Sequence, residues 1–287
     1  MTNKTGILYL CATPIGNLED MTFRAVRILQ EADLIAAEDT RNSIKLLNHF
    51  EIHTPMTSYH EYNRFEKGRV LVNKLLAGQN IALVTDAGMP GISDPGEELV
   101  RMCHEAGITV TAVPGACACV TALALSGQAT RRFVFEGFLP ADKKERRTVL
   151  EGLTEETRTI IFYEAPHRLK RTLQELFEVL GDRRLSICKE LTKRYENIEE
   201  TTLSEACIRY ETQEAKGEYV LVVAGRSRAE LERERQQSFI QMSLSEHVGY
   251  YEDQGMDRKS AMKQAAKDRG ITKRDVYQGL LSEGKEE

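Results

Sequence analysis

Short apolar runs of strand length alternate along this chain with stretches whose apolar residues recur at helical spacing, and turns rich in glycine and proline close several of the runs. That rhythm leaves few folds open, because strands separated by helices pair most readily as a parallel sheet with helices on both faces. GILYLCA (6–12) reads as a strand, MTFRAVRILQEA (21–32) as a helix, and LIAAED (34–39), MTSYH (56–60) and IALVTD (81–86) as three more strands. EELVRMCHEAG (97–107) is a helix closed by glycine. TVTAVPG (109–115) is a fifth strand, and the helix ACACVTALALSG follows it.

A polar hinge, GQATRRF (127–133), opens a second βα series. Its strands are FVFEGF (133–138), TRTIIFYEA (157–165), RLSICKEL (184–191), NIEETTL (197–203) and EYVLVVAG (218–225), with a helix at HRLKRTLQELFEVLG (167–181). After Gly225 the composition shifts to a charged helical stretch, SRAELERERQQSF (227–239), and then to a segment with its own helical periodicity. The expectation is an α/β protein with two α/β domains, 1–127 and 128–226, a ligand cleft between them, and a helical module at 227–287. At 287 residues the chain is long for one domain and natural for two.

Charge and cysteine usage narrow the class further. The formal net charge is -5, so any nucleic-acid contact has to come from local basic patches. Six cysteines lie within apolar segments, which predicts reduced thiols and a cytoplasmic protein. Cys117-x-Cys119 is too closely spaced for a zinc site, and no metal is expected. The opening residues lack the cleavage pattern of a signal peptide. The uncharged stretch 108–130 is interrupted by Pro114, Gly115 and Ser126, so a buried strand–turn–helix is expected there and no membrane span.

Three turns carry the chemistry. TPIGN (13–17), DAGMPGISDPG (86–96) and VPGA (113–116) each follow a predicted strand of the first domain. Ligands of open parallel sheets bind beyond the carboxyl ends of strands, and glycine lets a ligand approach the backbone closely. No GxGxxG follows the first strand, and GxxxxGK[ST], GxSxG and HExxH are absent.

These motifs, with AAEDTR (36–41), YEAPHR (163–168), CKELTKR (188–194) and GEYVLVVAG (217–225), resemble the tetrapyrrole methylase superfamily, the class III S-adenosylmethionine methyltransferases. The likeness spans about residues 6–226 and is closer to a ribosomal RNA methyltransferase branch, whose relatives on tetrapyrroles or diphthamide carry a GDP-type turn where this chain has Gly88-Met89-Pro90. The resemblance implies S-adenosylmethionine as cofactor and 2′-O-methylation of a cytidine ribose in 16S rRNA of the small ribosomal subunit, by a homodimer. It implies cofactor contacts at Pro14, Ile15, Asp86, Gly88, Met89, Gly91, Ile92, Ser93, Gly115, Ala116, Tyr163 and Glu218. A different substrate of the same superfamily, or a non-catalytic RNA-binding protein on this scaffold, stays open.

A ribose hydroxyl is a poor nucleophile and needs a base or a nearby cation. Lys189 is the first candidate, with Glu190 and Glu164 beside it. RNA contacts are expected from Arg41, from Lys143, Lys144, Arg146 and Arg147, and from Arg168 and Lys193. The tail repeats the pattern: MDRKSAMKQAAKDRGITKRDVYQGLL (256–281) reads helix, glycine turn, helix, with Ala265, Ala266, Ile271, Val276 and Leu280 inward. Arg258, Lys259, Lys263, Lys267, Arg269, Lys273 and Arg274 make it basic, against one acidic residue between Arg258 and Arg274. Its alternative reading is a dimerisation module.

Overall fold

The computed structural model describes residues 5–283. These residues form ten strands, twelve α-helices and one short 3-10 helix, in two compact units that divide at Gly225/Arg226. In the first unit β1 (Ile7–Cys11), β2 (Leu34–Ala37), β3 (Met56–Ser58), β4 (Ile81–Val84) and β5 (Thr109–Val113) make one parallel sheet in the order β3-β2-β4-β1-β5. The helices between them are α1 (Phe23–Glu31), α2 (Thr40–His49), α3 (Arg64–Leu76) and α4 (Gly96–Glu105), and α5 (Ala118–Leu125) follows β5.

Alternation along the central strands accounts for both faces. Ala82 and Val84 of β4 pack with Leu29 of α1 and Leu47 of α2, whereas Ile81 and Leu83 pack with Leu71 and Leu75 of α3 and Leu99 of α4. A strand buried on both sides reads as an unbroken apolar run, as IALV does.

The second sheet has the order β6-β7-β10-β8-β9, from β6 (Phe133–Phe138), β7 (Thr159–Glu164), β8 (Arg184–Lys189), β9 (Asn197–Thr202) and β10 (Tyr219–Val223). All five strands lie where the sequence places them, but the sheet is mixed. Only β6 and β7 are parallel; β7–β10, β10–β8 and β8–β9 are antiparallel. The cause is connection length. Residues 190–196 cannot hold the dozen or so residues of a parallel crossover, so β8 and β9 form a hairpin.

Helices α6 (Lys143–Gly152), α7 (Pro166–Leu180) and α8 (Leu203–Thr212) all pack on one face of this sheet, against Ile160, Phe162, Leu185, Ile187, Leu221 and Val223. The opposite face is covered by α5, whose Cys119, Ala122 and Leu123 meet Ile161, Cys188, Val220 and Val222. This explains the uncharged run 108–130: it is an edge strand followed by a helix pressed against a second sheet. No described helix is long and apolar enough to cross a membrane.

The second unit contains α9 (Arg228–Gln241), α10 (Leu244–Asp253), α11 (Arg258–Arg269) and α12 (Lys273–Glu283). Asp257 caps the start of α11, and Gly270 ends it in the left-handed conformation at φ 66. Val248, Ala261, Met262, Ala265, Ala266 and Val276 form its core, with Leu280 partly buried against them. Ile271, expected inward, is exposed instead.

Arg146 departs from its expected place as an RNA contact. It is 2% exposed: its guanidinium donates to both carboxylate oxygens of Glu175 at 2.6 and 2.9 Å and to the Pro140 and Ala141 carbonyls at 2.9 Å. A single residue step, about 100° of rotation about the helix axis, carries Arg147 outward while Arg146 points in. Removing one partner of a buried ion pair strands the other, so Arg146→Ala should lower stability by about 3 kcal/mol. In a thermal melt that is a fall in Tm of roughly 6–12 °C for a unit of this size. Arg147→Ala, made as the control, should leave Tm nearly unchanged.

Candidate active site

The three glycine turns meet at the carboxyl edge of the parallel sheet, and hydrogen bonds lace the first two together. Thr13 N–H donates to the Gly88 carbonyl at 2.9 Å, and Gly88 N–H returns a bond to the Thr13 carbonyl at 3.1 Å. Gly88 adopts φ 85, and a Cβ there would stand 3.2 Å from Ile15 Cγ2 and 3.3 Å from the Ala116 carbonyl oxygen. All three turns therefore converge on one glycine. Asp94 fixes the rest of the second turn: its carboxylate accepts from the N–H groups of Gly91, Ile92 and Gly96 at 2.8–3.0 Å. Burial raises its pKa against the opposing effect of those bonds.

A cavity of about 520 Å³ opens beside these turns, within the ordinary range for a small-molecule site. Of the sequence-predicted cofactor contacts, Ile15, Asp86, Gly88, Met89, Ile92, Ser93, Tyr163 and Glu218 line it. Pro14, Gly91, Gly115 and Ala116 do not. Gly115 has a different job: a Cβ there would lie 2.9 Å from the Ala12 Cβ, so the glycine lets the β5 exit pack against the end of β1. Gly91, at φ 85, shapes the Asp94-capped turn from behind.

The lining also holds residues that motif reading passed over. Glu38, at the end of β2, accepts from the Thr85 hydroxyl at 2.6 Å and from the Asp86 N–H at 3.3 Å. Partial burial and then the Glu38 charge push the Asp86 carboxyl above its usual range. The signal was present, since Glu38 belongs to the quoted AAEDTR segment. Cys117 and Ala118 at the start of α5, with Leu191 and Val220 from the second sheet, supply apolar wall. Tyr163 is held by edge contacts with Phe135 and Phe138, its hydroxyl accepting from the Cys119 N–H at 3.0 Å.

The three candidate catalytic side chains sit apart. Glu164 lines the cavity, but one carboxylate oxygen accepts from the Ala165 N–H at 2.8 Å and the other from the Thr172 hydroxyl. Glu190 is outside the lining, in a clasp. Its carboxylate accepts from Lys193 Nζ and from the Glu218 N–H, both at 2.9 Å, while Lys193 also reaches Glu218 at 2.8 Å. Burial opposes ionisation of Glu190, and Lys193 with the Glu218 N–H outweighs it, keeping the carboxyl below its usual range. The Lys193 stem lies against Gly16, tying the β8–β9 loop to the first turn. Lys189 ends β8 one residue past the lining residue Cys188 and makes no ion pair among the described residues. Strand alternation puts it on the face opposite Cys188, outside the lining.

The basic side chains sort by what already holds them. Arg146, Arg168, Lys193 and Arg269 are tied internally; Arg168 donates to the Leu139 carbonyl at 2.7 Å, and Arg269 to His247 Nδ1 and the Ser243 carbonyl, each at 3.0 Å. Arg41, Arg147 and Arg258 are exposed but paired with Asp39, Glu151 and Glu252. Lys143, Lys144, Lys259, Lys263, Lys267, Lys273 and Arg274 are exposed and carry no ion pair among the described residues. Lys259, Lys263 and Lys267 recur every fourth residue and form one stripe along α11.

A parallel sheet with glycine turns at its carboxyl edge, joined to a mixed sheet across a small-molecule cavity, is the two-lobed fold of several methyltransferases of known structure. The methyltransferase CobJ superposes with a TM-score of 0.59 at 17% identity, covering 77% of this chain and 95% of that one. A uroporphyrin-III C-methyltransferase from Thermus thermophilus, solved with S-adenosylhomocysteine, gives 0.54 at 19% identity, covering 76% and 97%. A profile of the tetrapyrrole (corrin/porphyrin) methylases matches residues 7–207, and this chain belongs to that family. It is 52% identical over 274 residues to the ribosomal RNA small subunit methyltransferase I of Halalkalibacterium halodurans, covering 95% of this chain and 93% of the other. The protein of the same description from Bacillus subtilis is 48% identical, with the same coverage.

The placement of Gly115 separates packing from ligand contact. Gly115→Ala forces the β5 exit away from β1 and should cost about 1–3 kcal/mol of stability. Circular-dichroism melts should show that loss, while ligand affinity of the folded variant stays at the parental level.

Proposed function

We propose that this chain transfers a methyl group from S-adenosylmethionine to the 2′-hydroxyl of a cytidine ribose in 16S rRNA of the small ribosomal subunit. The observation that carries the reading is the cavity itself: glycine-turn backbone on one side, apolar wall on the other, and the carboxylates Glu38, Asp86 and Glu218 in its lining. It occurs in a chain about half identical, nearly end to end, to proteins described as small-subunit ribosomal RNA methyltransferases. A ligand with a flat apolar body and two positive centres matches that lining, since carboxylates stabilise ammonium and sulfonium groups.

S-adenosylmethionine brings the electrophilic methyl; the remaining requirements fall on the protein. In-line displacement depends on holding nucleophile and sulfonium in line, and the Asp94-capped turn and the Thr13–Gly88 bridge make that wall rigid. Glu190 and Glu164 act as positioning residues, the first holding the Glu218 strand entry and the second the start of α7. Lys189 lies outside the lining, so no step of the transfer is assigned to it. RNA is gripped by Lys143 and Lys144 and, in the tail, by Lys259, Lys263, Lys267, Lys273 and Arg274. Residues 1–127 and 128–226 are read as two domains with 227–287 appended, working as a cytoplasmic homodimer. The fully exposed Phe23 and Tyr62, each at 98%, are side chains a second copy would cover.

Tritiated methyl transfer onto small subunits, followed by mapping of the labelled nucleotide, tests the reading. Label on a cytidine 2′-oxygen is expected; label on a base, or none, refutes it. Gly88→Val should abolish S-adenosylhomocysteine binding by calorimetry, because the branched side chain meets Ile15 and the Ala116 carbonyl.

For the tail, replacing Lys259, Lys263 and Lys267 with Gln should weaken RNA binding and flatten its salt dependence. Each lost phosphate contact lowers the log–log slope by about 0.7–0.9. An unchanged slope with a shift from dimer to monomer in sedimentation would assign the tail to dimerisation instead.

A further inference from the structure

Cys117 and Cys119 stand at the entry to α5, and their sulfurs are 3.5 Å apart. Cys117 is half-buried and lines the cavity, whereas Cys119 is buried behind it and donates its backbone N–H to Tyr163, another lining residue. We propose that this pair is an oxidation site in the pocket wall: a hydroperoxide converts the dithiol to a disulfide, and the disulfide shuts the pocket to its ligand. The second half rests on the cofactor reading given above.

Position singles out Cys117 as the attacking sulfur. The Cys119 thiol stabilises its thiolate, burial opposes this, and with the Val120 N–H the stabilisation prevails, so the Cys117 pKa is lowered. In Cys11, Cys103, Cys188 and Cys207 burial is not offset in this way and their thiols are raised, as is that of Cys119. The Cys117 thiolate attacks one peroxide oxygen, breaks the O–O bond and becomes a sulfenic acid as water leaves. The Cys119 sulfur then displaces the sulfenic oxygen, a second water leaves, and two thiols have been oxidised by two electrons while the peroxide is reduced. From 3.5 Å, closure to a bond of about 2.05 Å is a side-chain movement of roughly 1.5 Å. That movement draws the N-terminal turn of α5 together, and with it the Cys119–Tyr163 hydrogen bond that fixes one wall.

The test uses the full chain, reduced and desalted, then exposed to hydrogen peroxide. Peptide mass spectrometry should show the 117–119 segment losing two hydrogen masses, restored by dithiothreitol. Calorimetry with S-adenosylhomocysteine should show affinity weakened at least about tenfold, ~1.4 kcal/mol, and recovered on reduction. Cys119→Ser should abolish the mass loss, and Cys207→Ser, remote from the pocket, should keep it. Over-oxidation of Cys117 without disulfide, or no change at either cysteine, overturns the oxidation site. A disulfide that leaves affinity intact overturns closure of the pocket. If the reduced chain gives no heat with S-adenosylhomocysteine, the cofactor reading and the closure fall together, while the mass loss still supports the oxidation site.

Discussion

The first compact unit depends on one packing requirement. The second sheet has α6, α7 and α8 on a single face, so its other face, with Ile161, Cys188, Val220 and Val222, would lie in water if nothing covered it. Burying a branched apolar side chain is worth ~1.5–3 kcal/mol, which makes an uncovered face untenable. The chain meets the requirement with α5, which grows directly out of β5 of the other sheet. One helix thus belongs to the first sheet by sequence and to the second by packing. The cavity is what remains beside it, where the turns of the parallel sheet approach the strand ends of the mixed one.

That origin explains why the cavity wall is built from two kinds of material. On the first-sheet side it is backbone, because turns at strand ends expose N–H and C=O groups. Thr13, Gly88 and Asp94 use some of those groups to brace the turns against one another. On the second-sheet side it is side chain, because antiparallel strands present alternate residues to one face. Cys188 and Val220 do so here, as directly paired neighbours in the β8–β10 register. The Lys193 stem over Gly16 and its ion pairs with Glu190 and Glu218 join the two kinds of wall.

Much of this was legible in the residues. Strand positions follow from apolar runs bounded by glycine and proline, so all ten strands could be read, and the three turns point to a candidate site because they fall together at one edge of the parallel sheet. What escaped was long-range. Strand direction in the second sheet depends on pairing partners and on the short 190–196 connection, not on any run by itself. Arg146 looks identical to Arg147 in a basic stretch, and only the helix rotation that brings Glu175 beside one of them separates the two. Gly115 and Gly88 are equally plausible ligand contacts on paper; one touches Ala12 and the other Ile15, and the difference is tertiary. Glu38 was passed over because a lone acid at a strand end has no spacing partner, although Thr85 and Asp86 meet it across the sheet.

Charge then divides the labour between cavity and surface. Glu38, Asp86 and Glu218 make the lining acidic, and a lining of that sign favours a cationic ligand and repels phosphate. A polyanion cannot be drawn into it by its backbone. In the proposed reaction the RNA has to be held from outside, by lysines that no internal partner neutralises, and has to offer the cavity a ribose edge and not a phosphate. Of the candidate RNA contacts, the lysines without an ion pair among the described residues are in α6 and the tail, whereas Arg168 and Lys193, nearer the site in sequence, are already tied within the fold. The same arrangement reconciles a net charge of -5 with a nucleic-acid substrate. The cavity lining is acidic, and the exposed lysines of α6 and the tail lie outside that lining. Salt should therefore screen the RNA contacts, exposed and long in range, far more than it screens the short, partly enclosed contacts of the cofactor.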